Sequence, residues 1–233
     1  MLIVTDRHTP KDLRLYESLY RPMDRLRKVP AAKIKKSMES IAGWTEKHGD
    51  SLALTSWGKD SVVLCQLLYE VRPDTPVVYM RTERSNPDCD LVRDIFLARH
   101  KLNYFEESFV YDEVHATDAH WKIIAERHGQ HRITGIRNDE SRRRLLSYIT
   151  FGESSKYSCR PLSLWSNAEI FAYIEQNGLP LCPVYGYLGG GRWQREHIRT
   201  HSLAGRAGDG IGRTEWEKEY YPDLINILRS GLL

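Results

Sequence analysis

Six consecutive residues, Ser56-Trp57-Gly58-Lys59-Asp60-Ser61, bring together the groups that hold a phosphate. Gly58 lets the backbone approach closely, Ser56 and Ser61 offer hydroxyls, Lys59 supplies a positive point charge, and Asp60 is placed to cap a helix. The apolar run Leu52-Ala53-Leu54 before them reads as a buried strand, and Val62 to Val71 resumes at helical spacing. A helix beginning near Asp60 presents unpaired backbone N–H groups and the positive end of its dipole, which together favour an anion. Lys59 and Asp60 are expected in an exposed loop. Taken alone, Gly-Lys-Asp-Ser reads first as an ordinary capped strand-to-helix turn. The spacing is not that of a Walker A loop, G-x-x-x-x-G-K-[ST].

The second concentration of chemistry is Gly135-Ile136-Arg137-Asn138-Asp139-Glu140-Ser141-Arg142-Arg143-Arg144. Arg137 leaves the end of a predicted strand, His131 to Ile136, and Asp139-Glu140-Ser141 open a helix whose first turn tolerates acids. On that helix Arg142, Arg143 and Arg144 fan over roughly 200°, so one or two can reach a nucleotide while the others meet acids or solvent. A charged helix face is the competing reading.

The elements between these stretches alternate. Thr75 to Met80 and Asn103 to Ser108 read as further strands, and Asp88 to His100 and Val114 to His128 as helices, the latter with Trp121, Ile124 and Ala125 as its apolar face. Such alternation implies a mainly parallel, doubly wound α/β sheet of Rossmann type with helices on both faces, in which ligands bind outside the carboxyl ends of the strands. The loops after Leu54, Met80 and Ile136 should then share one rim. Before the sheet, Lys11 to His48 reads as two helices broken at Pro22 and Pro30, with the basic residues Arg21, Arg25, Arg27, Lys28, Lys33, Lys35 and Lys36. A solvated helix face is the favoured reading of these cations, with contact to a nucleic acid backbone as the alternative. Beyond the sheet, Ser166 with Glu169 forms a capping box ahead of Ile170, Tyr173 and Ile174. Gly186 to Arg213 is rich in glycine and arginine, which suggests mobile loops, a lid or a plain surface loop, around a helical stretch from Trp193 to His201. Glu215 to Leu228 returns to helix, interrupted at Pro222.

The first stretch resembles the PP-loop, S-[GF]-G-x-D-S, of the N-type ATP pyrophosphatases, with Trp57 where Gly or Phe is usual. The second resembles G-[IL]-R-x-x-E-S-x-x-R of phosphoadenylyl-sulfate (PAPS) reductases and sulfate adenylyltransferase small subunits. Arg160 to Ile174 and Asn177 to Tyr185 resemble the structural segments P-L-x-x-W-[ST] and N-x-[LI]-P-x-x-P that follow in the same family. The likeness covers about Ser51 to Tyr187. It implies a HUP-type Rossmann-like domain over residues 49–187, an N-terminal helical segment over 1–48, and a tail over 188–233 packing on the same domain. It implies that ATP is cut to AMP and pyrophosphate, that Ser56, Trp57, Gly58, Lys59, Asp60, Ser61, Gly135 and Arg137 hold the nucleotide, and that Lys59, Asp60, Arg137, Arg142 and Arg144 serve catalysis. Mg2+ is expected with ATP through Asp60. Trp57 should narrow the loop's surroundings.

Composition bounds the rest. With 233 residues, 41% of them apolar, and a net charge of +3, the chain fits one sizeable α/β core with accessory segments. No run of about 18 apolar residues indicates a membrane span, and the first residues lack a secretion signal, so a cytoplasmic location is expected. Cys65, Cys89, Cys159 and Cys182 contain no C-x-x-C pair, and neither the cluster ligands nor the E-C-G-[IL]-H nucleophile of the resembling reductases is present. No iron–sulfur cluster is therefore expected. A nucleophilic thiol would have to be Cys89 or Cys159, although a buried small side chain is the favoured reading of all four. Adenylation of an acceptor for sulfur transfer is the favoured function, on sulfate or on nucleic acid as in tRNA thiolation or DNA phosphorothioation, with a cysteine desulfurase as the sulfur donor. A PAPS or APS reductase, a sulfate adenylyltransferase small subunit, and a non-catalytic nucleotide-binding module remain open.

Overall fold

The computed structural model describes residues 1–111, 116–200, 202–205 and 213–230. Its elements run α1 (Pro10–Leu15), α2 (Arg21–Leu26), α3 (Ala31–Lys47), β1 (Ser51–Thr55), α4 (Lys59–Val71), β2 (Val77–Arg81), α5 (Asp88–Arg99), β3 (Tyr104–Ser108), α6 (Ala116–His128), β4 (His131–Ile133), α7 (Arg142–Phe151), β5 (Ser154–Ser155), β6 (Ser158–Cys159), α8 (Asn167–Gln176), α9 (Arg213–Tyr220) and α10 (Pro222–Ser230). The sheet has the order β3-β2-β1-β4-β6-β5, parallel throughout except for β5 against β6. This is the expected Rossmann-like α/β sheet. The β5–β6 hairpin is an addition, because two-residue strands carry no readable alternation.

Period-two alternation assigns the two faces. Ala53, Val77 and Tyr79 point into a large core shared with α3, α4, α5 and α8, whereas Leu52 and Val78 meet Ile124 and Trp121 of α6 on the other side. The large core takes side chains from Leu2 to Leu228, so the segments before and after the sheet bury their apolar faces in the same place. The strand order reverses between β1 and β4, which opens a crevice beyond their carboxyl ends. The loops after β1 and β4 meet there.

Three expectations are corrected. Pro22 does not break the first helix: α1 and α2 are joined by a π turn, Tyr16–Tyr20, in which Arg21 N–H bonds the Tyr16 carbonyl, and this wider turn carries the chain past the proline. Pro30 does separate two helices, as the residue before α3. Trp193 to His201 is not a helix. Among its described residues only Arg195–His197 form a 3-10 turn, because Gly189, Gly190 and Gly191 all take positive φ and Arg195 is drawn to α2. Nor is the whole glycine-rich stretch loose: Tyr187, Leu188, Trp193 and Ile198 are buried, and Asp12 Oδ1 accepts from Leu188 N–H (3.2 Å) and Gly190 N–H (2.8 Å). The part of that stretch at 206–212, His201 and the expected helix start at Val114 lie outside the described residues. The interruption at Pro222 falls as expected, between α9 and α10.

The basic N-terminal stretch is largely neutralised within the chain. Arg21 and Arg25 both bond Glu175 of α8, Lys33 bonds Glu169, and Lys35 approaches Glu39. No helix among the described residues is long and apolar enough to cross a membrane.

Candidate anion site at the carboxyl end of β1

The loop from Ser56 to Gly58 turns the chain from β1 into α4. Trp57 takes φ +54°, a left-handed conformation that costs a non-glycine residue on the order of 1 kcal/mol or more. Burial offsets that strain: the indole is fully enclosed, with its ring centroid 5.7 Å from Phe96 of α5 and 5.6 Å from Tyr104 of β3. Trp57 therefore points away from the loop's open side and does not narrow it.

Gly58 is the N-cap of α4, and no side chain caps this helix. Asp60 was expected to do so, but sits in the first turn with its carboxylate committed elsewhere: Oδ2 accepts from Lys59 Nζ (2.6 Å) and Oδ1 from Arg137 Nε (2.6 Å). Ser61 Oγ accepts from Ser56 N–H (3.0 Å) and lies 3.2 Å from Ser56 Oγ, which holds the loop closed on itself. Lys59 N–H donates to the Tyr185 hydroxyl (3.3 Å).

Lys59 is not exposed, contrary to expectation: only 1% of it is accessible. Its ammonium lies 5.9 Å from the Phe171 ring centroid and 5.8 Å from that of Tyr185, because α8 and the turn after it pack over the start of α4. Burial, with Arg137 and Arg199 nearby, overrides the pull of Asp60 and brings the Lys59 pKa down to about 8. Burial pushes the Asp60 carboxyl up, but Lys59 and Arg137 outweigh it and hold the group below its ordinary range. The pair is charged at neutral pH.

Arg137 is also fully enclosed. Besides Asp60 it donates to Asp139, to the Trp165 carbonyl (3.2 Å) and to Asn167 Oδ1 (2.8 Å). Four of its five N–H donors are engaged within the protein, so it braces Asp60 and the loop after β4 against α8. Gly135 permits this: a Cβ there would stand 3.1 Å from the Asp60 carbonyl carbon and oxygen. Glu140 accepts from the Arg137 amide (3.0 Å) and from the Arg144 guanidinium. Arg144 is half-buried, and burial, with Arg199 beside it, lowers its proton affinity. Arg142 and Arg143 are exposed, and no bond joins either to the loop. The structure thus gathers Ser56, Gly58, Lys59, Asp60, Ser61, Gly135, Arg137 and Arg144, and leaves Arg142 outside.

Asp60 does not fit its expected role as a metal ligand, since both oxygens already face cations. Among the described residues no three His, Cys, Asp or Glu side chains are grouped to hold a metal ion. The residues that sequence reasoning missed are Asp139, Glu140, Asn167 and Tyr185. Asp139 and Glu140 sit inside the second stretch and Asn167 inside the Arg160 to Ile174 segment, where their spacing was visible but their partners were not.

All four cysteines are free and buried. Burial pushes the thiol of Cys159 up to about 12 and that of Cys182 well above its ordinary value.

Known proteins share the family and the fold of this chain. Residues 51–188 match the model of the phosphoadenosine phosphosulfate reductase domain. The phosphoadenosine 5'-phosphosulfate reductase of Xanthomonas oryzae pv. oryzae (strain PXO99A) is 24% identical over 172 residues, covering 62% of this chain and 71% of the relative. That of Xylella fastidiosa (strain M23) is 25% identical over 179 residues, covering 65% and 76%. Among solved structures, Candida glabrata FMN adenylyltransferase in complex with ATP shares the fold, with a TM-score of 0.51, 17% identity, and coverage of 76% of this chain and 67% of that one.

Proposed function

Because the chain belongs to the phosphoadenosine phosphosulfate reductase domain family, we propose that its crevice binds ATP and cuts it between the α and β phosphates, adenylating an acceptor for sulfur transfer. The observation that carries this reading is the start of α4: a helix N-terminus with no side-chain cap behind a glycine, with a buried lysine paired to Asp60 beside it. Amide N–H groups and Lys59 Nζ stabilise the negative charge that builds on the pyrophosphate as it leaves, and they need no reorganisation to do so. Asp60, braced by Arg137, fixes the direction of the ammonium. Arg144 adds charge at the same rim. Magnesium arrives with the nucleotide as part of the substrate, taking its ligands from phosphates and water.

A sulfonucleotide reductase is the second reading, and the names of the relatives favour it. Against it stands the burial of all four cysteines, which shields each thiol from a substrate sulfur. For the acceptor, we extend the reading to nucleic acid, as in DNA phosphorothioation, with the sulfur delivered by a partner such as a cysteine desulfurase. Basal turnover is then low, because water is a poor substitute for a positioned acceptor. Thin-layer separation of the products of α-labelled ATP tests the proposal. AMP is the expected product, and ADP as the dominant product would overturn it.

A further inference from the structure

The family match ends at residue 188, yet the wall that closes the loop's open side comes from beyond it. Thr200 Oγ1 lies 2.6 Å from where a Cβ on Gly58 would stand, so the chain after Arg195–His197 runs directly over the loop. The Arg199 guanidinium donates to the carbonyls of Glu196 (2.7 Å) and Ile198 (3.2 Å), which leaves donors over, and it lowers the proton affinity of both Lys59 and Arg144. Thr200 thus sits over the start of α4 with Arg199 next to it in the chain, while Arg144 has Glu140 and Lys59 has Asp60 as acidic partners.

What holds this wall in place is remote from the loop. Arg195 is 3% exposed and donates through both terminal nitrogens to the Asp24 carboxylate of α2, each at 2.6 Å. Its guanidinium carbon stands 3.9 Å from the Phe171 ring centroid and 4.4 Å from that of Tyr20. Phe171 is the same ring that lies near the Lys59 ammonium. Asp24 precedes the family match and Arg195 follows it, so neither belongs to the shared domain.

We infer that Arg199 and Thr200 contact the phosphate chain of the bound nucleotide, and that the buried Asp24–Arg195 pair is the positioning element that holds them over the loop. This rests on the ATP reading given above. The two terminal segments then do more than extend the core: they complete the anion site.

Calorimetric titration with inorganic pyrophosphate, alongside thermal melting, tests this on the full chain. Arg199→Ala is expected to weaken pyrophosphate at least about tenfold with an unchanged melting temperature, since a charge-assisted contact is lost from a partly exposed side chain. Asp24→Asn is expected to weaken it comparably, and adding Arg199→Ala to Asp24→Asn to cost little more, because the wall has already been released. A purely structural role for the pair would lower the melting temperature, leave the affinity of the folded variant unchanged and make the losses additive. Should Asp24→Asn not fold, Arg195→Lys keeps the charge while losing the two-pronged contact, and the same cycle is measured with it. Wild-type affinity in Arg199→Ala, with binding lost in Lys59→Met, overturns the wall and leaves the loop standing. Wild-type affinity in both variants, or no pyrophosphate binding by the wild type, overturns both.

Discussion

Replacing Arg137 by alanine separates a structural role from a catalytic one. The guanidinium is fully enclosed and serves Asp60, Asp139, the Trp165 carbonyl and Asn167. Its removal leaves the Asp60 carboxylate with Lys59 as its remaining cation and strands a carbonyl and an amide oxygen. Breaking a buried ion pair from one side costs about 3–5 kcal/mol, against a total stability of roughly 5–15 kcal/mol for a domain. At roughly 2–4 °C per kcal/mol for a chain of this size, the melting temperature should fall by about 6–20 °C. Arg137→Lys keeps the charge on Asp60 but cannot reach four partners, so its loss should be smaller. Scanning calorimetry and urea denaturation followed by circular dichroism measure both. Because the fork is spent on the protein, ATP binding by folded Arg137→Lys, measured well below its melting temperature, should stay within about tenfold of wild type. An Arg137→Ala protein that melts within about 2 °C of wild type yet has lost turnover would refute the bracing role and put the guanidinium on the ligand.

Three further predictions follow from the same geometry. ATP affinity should fall as pH rises through about 8, where the buried Lys59 loses its proton, and this limb should be absent in Lys59→Met. In the same variant the stability of the wild type should lose a rise between about pH 8 and 10.5: there the folded lysine is neutral while the unfolded one still binds a proton, so the burial penalty present at lower pH is relieved. Trp57→Gly should destabilise the protein by about 2–4 kcal/mol in urea titrations, since losing a buried indole costs more than relieving one positive φ returns; an unchanged midpoint would show that the ring is not part of the core. Cys89→Ser and Cys159→Ser should each lower ATP cleavage by less than about tenfold, because in-line attack on phosphorus uses no protein thiol; loss of AMP formation in a folded variant would point to a covalent step.

The sequence by itself determined the first four strands of the sheet and their alternation with helices. The apolar run Leu52 to Leu54, the helical spacing after Ser61 and the loop between them are local patterns, and in a parallel sheet they put the ends of β1 and β4 side by side. The capping box at Ser166 was legible for the same reason, since Ser166 N–H and Glu169 Oε2 meet at 2.7 Å within one turn. Only the tertiary structure decided what the charged residues do. Asp60 reads as a cap or a metal ligand until Arg137, 77 positions away, is seen to claim one of its oxygens. Lys59 reads as an exposed loop residue until α8 covers it, and that cover, not its neighbours in sequence, lowers its pKa. Trp57 reads as an obstruction until Phe96 and Tyr104 show where the ring goes. Arg195 and Asp24 stand 171 residues apart, and no spacing rule links an arginine in a glycine-rich stretch to an acid in a basic helix. Hydrogen bonds and ion pairs depend on distances of a few ångströms, which long-range packing sets and local sequence does not.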